Sequence, residues 1–210
     1  EACMKNNVKR IVFASSSSVY GNAVYSPMDE KHPLEYRDFY AATKLAGEAL
    51  FRTFYFKYNL AYISLRFMNI YGPRLDYSGA YVAVIMKIID RLKQDIAPII
   101  YGDGSQSFDF VFVEDACRSL ILAMISSLTC NTYNISSGKQ ISILDLCKRI
   151  QKIMNKNLPI EFINKDGDKH LVTNRIGSTK NAKDDLGFEV DTSLENGLKQ
   201  IIDWKLRQVT

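Results

Sequence analysis

Lys9 to Ser15 (KRIVFAS) is a short apolar run rich in β-branched and aromatic residues, and the pattern predicts a buried strand. From Ser16 to Pro33 the chain turns to Ser, Gly, Asn and Pro, which predicts a long loop. Such a loop at a strand end is where α/β proteins place their chemistry. Arg37 to Tyr58 has no breaker except Gly47 and predicts a long helix. Ala61 to Phe67 (AYISLRF) predicts the next strand, closed by Tyr71-Gly72-Pro73. Strand, helix and strand at this spacing form a βαβ unit, which implies a parallel sheet.

The alternation continues. Gly79 to Lys93 predicts an amphipathic helix, and Ile99 to Tyr101 and Phe108 to Val113 predict short strands around the turn Gly102-Asp103-Gly104. Glu114 and Asp115 open another helix, where acids suit the positive end of the helix dipole. Thr132 to Ile135 predicts a strand, and Ser142 with Asp145 makes a variant capping box before a helix from Leu144 to Met154. Leu158 to Ile163 predicts a strand. Thr179 to Leu186 and Ser193 to Arg207 predict the final helices, with Gly187 as a stop between them. Without repeats or low-complexity stretches, this order predicts an α/β fold.

The composition adds limits. A hydrophobic fraction of 47% fills a core, and 24% charged residues argue against disorder. No apolar run reaches the roughly 18 residues needed to span a bilayer, and no basic-then-apolar leader opens the sequence, so no membrane partner is expected. The net charge of +4 is spread along the chain, which argues against nucleic acid as a partner. Cys3, Cys117, Cys130 and Cys147, with His32 and His170, have no zinc-ligand spacing. No metal is expected, and the cysteines read as reduced thiols in a cytoplasmic protein. Glu1 to Asn7 read as the tail of a helix feeding a strand, so a truncated chain is expected.

Tyr40 and Lys44 lie four apart on the predicted helix. Four residues rise about 6 Å and return to nearly the same face, so the side chains are neighbours. An ammonium beside a phenol favours the phenolate, which makes such a tyrosine a sensible general base. About one such pair is expected by chance in a chain of this composition, and a lysine running past a surface tyrosine is the plain alternative. Ser15 to Ser18 follow the first strand directly. A serine there can hydrogen-bond both a substrate hydroxyl and the tyrosine, or it can satisfy its own backbone.

The segments SSSSVYG, YAATK, LRFMNIYGPR and IYGDGSQSFDFVFVEDA, in this order and spacing, resemble the extended short-chain dehydrogenase/reductase family. They are most similar to its NAD-dependent nucleotide-sugar epimerases and dehydratases, of the UDP-glucose 4-epimerase type, over nearly the whole chain. The resemblance implies a Rossmann-type parallel sheet, here incomplete because the first βαβ units are missing, with a small α/β substrate-binding domain. Residues 1–75 and about 108–137 would belong to the NAD-binding part, and 76–107 and 138–210 to the substrate-binding part. The implied reaction is epimerisation of a nucleoside-diphosphate sugar through a transient keto intermediate; the alternatives are a dehydratase or reductase of the same family, or a non-catalytic truncated remnant. Ser16, Tyr40 and Lys44 would be catalytic and, with Met68, would meet the nicotinamide. Asn69, Ile100, Tyr101 and Arg175 would meet the sugar nucleotide. The complete protein would pair as a homodimer, with Phe51, Phe54, Tyr55 and Tyr58 as one possible seam.

The resemblance has departures. No GxxGxxG turn is present, so the dinucleotide pyrophosphate lacks its usual seat, and weak dinucleotide binding is expected. At ~30 residues per βαβ unit, about a hundred residues would be missing. Phe108 stands where many relatives carry an arginine that pairs with the diphosphate; Arg175, or Lys165 and Lys169 as point charges, would have to replace it. Ser17 and Ser18 occupy the places where eliminating relatives carry an acid, which favours epimerisation over dehydration, with Asp29 and Glu30 the nearest acids.

Overall fold

A computed structural model describes residues 1–75, 84–164 and 174–208. The chain opens on one helical turn, α1 (Ala2–Lys5), and enters β1 (Arg10–Ser16). α2 (Phe39–Tyr58) leads to β2 (Ala61–Phe67) and the short β3 (Asn69–Tyr71). α3 (Val84–Lys93), β4 (Ile99–Tyr101), β5 (Ser107–Phe112), α4 (Val113–Ile125) and β6 (Cys130–Ile135) follow. The last third holds β7 (Gln140–Ser142), α5 (Ile143–Ile153), β8 (Glu161–Ile163), β9 (Asn174–Arg175), α6 (Lys180–Leu186) and α7 (Leu194–Arg207).

The predicted βαβ unit is present. β1 and β2 pair in parallel from Arg10 with Ala61 to Ser16 with Phe67, and β6 joins β2 on its other side. A second sheet places β3, β5 and β7 in order, with β9 also on β5, and β4 pairs with β8. β3, β7 and β9 were not predicted: two or three residues are too few to show a period of two. β8 starts at Glu161 instead of Leu158 because the Leu158 N–H donates to Gln151 Oε1 (2.7 Å), which ties that stretch to α5. The start of the helix expected from Gly79 lies outside the described residues.

Side-chain alternation divides β1 between two helices. Phe13 faces α2, where a Cβ built at Gly47 would lie 2.5 Å from its Cζ. Arg10 faces the other way and donates to the carbonyl of Ala123 (2.9 Å) near the end of α4. The sheet is therefore covered on both faces, as a parallel sheet requires. One apolar core lies under β2 and β6 and takes in Val19, Met28, Ile63, Leu65, Ile135 and Leu186. The other gathers α3, α5 and α7 around Ile89, Phe112, Leu146 and Ile201. Among the described residues no helix is long and apolar enough to cross a membrane, and no His, Cys, Asp and Glu cluster could hold a metal.

Asp109 on β5 is fully buried, and its carboxylate accepts from Ser137 N (2.8 Å), Ser137 Oγ (2.7 Å) and Gly138 N (3.0 Å). Burial nevertheless pushes its pKa up to about 6, against those hydrogen bonds, which favour the charged form.

Two tests follow from this packing. Gly47→Val forces the Phe13 ring aside, and a loss of about 2 kcal/mol in urea unfolding is expected from the overpacking. Between an ordinary carboxylate pKa near 4 and about 6, folded Asp109 keeps a proton that the unfolded chain releases. Stability therefore falls as pH rises through that window; half-buried Glu30, also raised, acts in the same sense. Asp29 and Asp115 are lowered and act oppositely, below about pH 4. Urea midpoints across the window should decline less steeply in Asp109→Asn than in the parent.

Candidate active site

α2 starts where Asp38 caps it, its Oδ1 accepting from Ala41 N at 2.6 Å. That cap places Tyr40 in the first turn, 52% exposed. One turn on, Lys44 Nζ lies 5.4 Å from the centre of the Tyr40 ring and donates to the carbonyl of Ala14 (2.8 Å). The same ammonium is 5.4 Å from the Phe13 ring. Tyr40 and Lys44 thus share a helix face, and the lysine is pinned to β1 two residues before Ser16.

Ser16 is the last residue of β1, not the first of a loop. Its Oγ accepts from Ser18 N (3.1 Å) and from Ser18 Oγ (3.0 Å), which caps a 3-10 turn over Ser17–Tyr20 inside the stretch predicted as loop. Both bonds use lone pairs of Ser16, so its own proton remains to be donated.

Beneath lies a polar network that the sequence did not disclose. Glu48, one further turn along α2, pairs with Arg66 of β2: Arg66 Nη2 meets Oε2 at 2.6 Å and Nε meets Oε1 at 2.9 Å. They are 8% and 5% exposed. Ser15 Oγ also donates to Glu48 Oε1 (2.5 Å). Arg66 Nη1 donates to the Tyr20 hydroxyl (3.0 Å), which donates to Asn134 Oδ1 (2.6 Å). Burial opposes the Arg66 charge, but the bond to Glu48 and the fields of Tyr20 and Glu48 outweigh it and raise its pKa. Burial also pushes the Tyr20 phenol up to about 12, against the pull of Arg66, so it stays a proton donor at neutral pH. The available signal was that Glu48 continues the i+4 ladder of Tyr40 and Lys44.

Arg175 approaches from β9, in register with Phe108 on β5. The two side chains therefore emerge on the same side of neighbouring strands. Arg175 Nη2 makes a long contact with the Gly21 carbonyl (3.4 Å), and its Nε is buried with no hydrogen-bond partner. Burial lowers its pKa, and the charge of Asp38 at the head of α2 works against that. Next to Gly21, Asn22 Oδ1 is likewise buried without a partner. Asn22 was not singled out from sequence.

The remaining predicted residues scatter. Met68 is buried, and its N–H donates to the Ile135 carbonyl (2.9 Å). Asn69 Nδ2 donates to the Asp109 carbonyl (2.9 Å). Ile100 is 1% exposed and packs in the core, because alternation on β4 turns it inward; Tyr101 beside it is 46% exposed. Lys165 and Lys169 lie outside the described residues. Of the acids near the turn, Asp29 accepts from Tyr25 (2.7 Å) and from the N–H of Lys31 (2.9 Å), while Glu30 accepts from Asn134 N (2.7 Å) and from Asn181 (2.5 Å).

This arrangement can be set against known proteins. A UDP-N-acetylglucosamine 4-epimerase from Methanobrevibacter ruminantium M1, solved in complex with UDP-N-acetylmuramic acid, superposes with a TM-score of 0.93 at 31% identity, over 99% of this chain and 66% of that one. The UDP-glucose 4-epimerase of Thermotoga maritima, solved with UDP-glucose, gives 0.91 at 29%, over 99% and 67%. A UDP-glucuronate 4-epimerase of Thermodesulfobacterium geofontis is 29% identical over 206 residues, 96% of this chain and 61% of the relative. The chain spans between 59% and 65% of the length of the curated relatives it matches. The sequence profile of the NAD dependent epimerase/dehydratase family matches residues 1–136, and the chain belongs to that family.

Proposed function

We propose that this chain carries the catalytic and sugar-nucleotide faces of an NAD-dependent nucleoside-diphosphate-sugar epimerase. The observation that carries the reading is the half-exposed Tyr40 phenol beside the Lys44 ammonium, at the end of β1 where Ser16 stops. As the phenolate, Tyr40 so placed accepts a proton from a sugar hydroxyl, with the Lys44 ammonium beside its ring and Ser16 donating a hydrogen bond to the same oxygen.

The fit to NAD concerns its nicotinamide end. Tyr40, Lys44 and Ser16, with the backbone at Met68, would hold it at the carboxyl ends of parallel strands. When bound, NAD supplies reversible oxidation of the sugar carbinol to its keto form. The 210 residues contain no GxxGxxG turn, so we place the seat of the pyrophosphate in polypeptide outside them. We keep a division into NAD-binding residues 1–75 and about 108–137 and substrate-binding residues 76–107 and 138–210; the two apolar cores follow it in part, with Ala182, Leu186 and Phe188 packed on the first core and Tyr71 and Phe112 on the second.

Arg175 is assigned to the diphosphate. A guanidinium whose Nε is buried and unpartnered offers an anion what the protein itself does not satisfy. Asn22, whose Oδ1 is buried without a partner beside Gly21, and Tyr101 are assigned to the same ligand. Epimerisation is preferred to dehydration because elimination needs a free acid near the reacting carbons. Ser17 is buried, Ser18 is bonded to Ser16, and Asp29 and Glu30 are engaged elsewhere. Exposed Leu50, Phe56 and Tyr58 on α2 favour a homodimer through that helix, whereas Phe51 packs against Phe13 (5.0 Å). All four cysteines are free, which suits the cytoplasm.

Product analysis with several nucleotide sugars, on a polypeptide holding these residues together with a Gly-rich dinucleotide turn, tests the reading. Tyr40→Phe should lower kcat by about 10²–10⁴ and leave sugar-nucleotide binding unchanged; full retained turnover refutes the base. Arg175→Ala should weaken UDP binding roughly 30-fold, a loss of about 2 kcal/mol for a charge-assisted hydrogen bond. Calorimetry of the 210-residue chain alone should show little or no NAD binding.

A further inference from the structure

Tyr40, Lys44 and Glu48 stand at successive i+4 steps, so α2 presents all three along one stripe. Along that stripe the helix meets β1 at three points. Lys44 reaches the Ala14 carbonyl (2.8 Å), Gly47 lies against the Phe13 ring, and Glu48 takes the Ser15 hydroxyl (2.5 Å). Ser15 and Arg66 are register partners on neighbouring strands, so both side chains emerge on the α2 side and converge on one carboxylate. From the far side of the ion pair, Arg66 reaches Tyr20, the last residue of the 3-10 turn that Ser16 caps.

We propose that Glu48 is a positioning residue for the site: with Arg66 it holds both ends of the Ser17–Tyr20 turn and sets the rotation of the helix that carries Tyr40 and Lys44. Ser15 precedes the turn and is held by Glu48; Tyr20 closes it and is held by Arg66. Apolar packing alone would tolerate a small slide or roll of α2. A two-pronged ion pair with directional bonds does not, because one residue of helix rotation is about 100° and would leave both charges buried and unpaired. The inference rests on the proposed function only for its kinetic arm.

Substituting Glu48 itself strands Arg66 and endangers folding, so the test uses Ser15. Ser15→Ala removes one bond and keeps the ion pair, and Ser15→Thr restores the hydroxyl. Amide hydrogen exchange on the chain needs no turnover. Ser18 N–H is bonded to Ser16 Oγ (3.1 Å) and Gly21 N–H to the Ser18 carbonyl (3.2 Å), so both report on the turn. Both should exchange about tenfold faster in Ser15→Ala, return in Ser15→Thr, and leave α5 and α7 at parental rates. Unchanged exchange at Ser18 and Gly21 overturns the proposal, and so does acceleration spread equally over α5 and α7. In a polypeptide that holds these residues together with a Gly-rich dinucleotide turn and is loaded with NAD, Ser15→Ala should cut kcat about tenfold with KM within about twofold, and Ser15→Thr should recover it. A kcat that stays at the parental value overturns the proposal. Absence of turnover in the parent counts against the epimerase reading alone, and the exchange arm then decides.

Discussion

The buried pair of Glu48 and Arg66 is the constraint on which the rest of this structure depends. It joins the middle of α2 to β2, and through Ser15 and Tyr20 it reaches the end of β1 and the turn beyond. Taking two charges out of water is costly, and the pair is weak evidence for net stability. Removing one partner is a different matter, at roughly 3–5 kcal/mol, because the other charge is then left without a counterpart. Its value lies in direction: each oxygen and nitrogen has one place to point. Asn134 extends the same logic to β6, where it accepts from Tyr20 and donates to the Met28 carbonyl (3.0 Å).

Above that foundation the cations are held at two distances from satisfaction. Lys44 is committed by one bond to Ala14 and keeps donors for a ligand or for Tyr40. Arg175 is held by one long contact to Gly21 and leaves its Nε buried and bare. Both sit by the carboxyl end of β1, the mouth of the sheet, where open α/β folds bind their ligands. The anionic groups nearby, Asp29, Glu30 and Asp38, are each engaged with protein partners. The mouth therefore has positive groups to offer and hydroxyls beside them.

Much of this was legible from spacing. The strand, helix and strand from Arg10 to Phe67 were readable because an apolar run, a breaker-free polar-apolar stretch and a second apolar run differ in period. Tyr40 and Lys44 were readable because i+4 spacing fixes a shared face. The ion pair was not. A glutamate on a helix reads as a solvent-facing residue and an arginine in AYISLRF as an exception in an apolar strand; only the register of Ser15 with Arg66 brings them under one roof. Ile100 was assigned a ligand and is core, because on a three-residue strand the side facing inward cannot be deduced without its neighbours. Arg175 was named as a stand-in for the arginine absent at Phe108, with Lys165 and Lys169 beside it, and its register with Phe108 is a fact of folding that no local pattern encodes.

The meeting of Met28 with the segment around Gly177 has a kinetic side. Met28 N–H donates to the Ile176 carbonyl (2.9 Å), and Ser178 N–H donates back to Met28 (2.7 Å). Glu30 reaches Asn181 across 151 positions and Gly21 reaches Arg175 across 154. Loop closure over such spans is entropically expensive and slow, so contacts of high contact order form after the local helices and the first strand pair. The cleft would then be among the last parts of this polypeptide to mature, closed by a strand two residues long that arrives near the end of the chain.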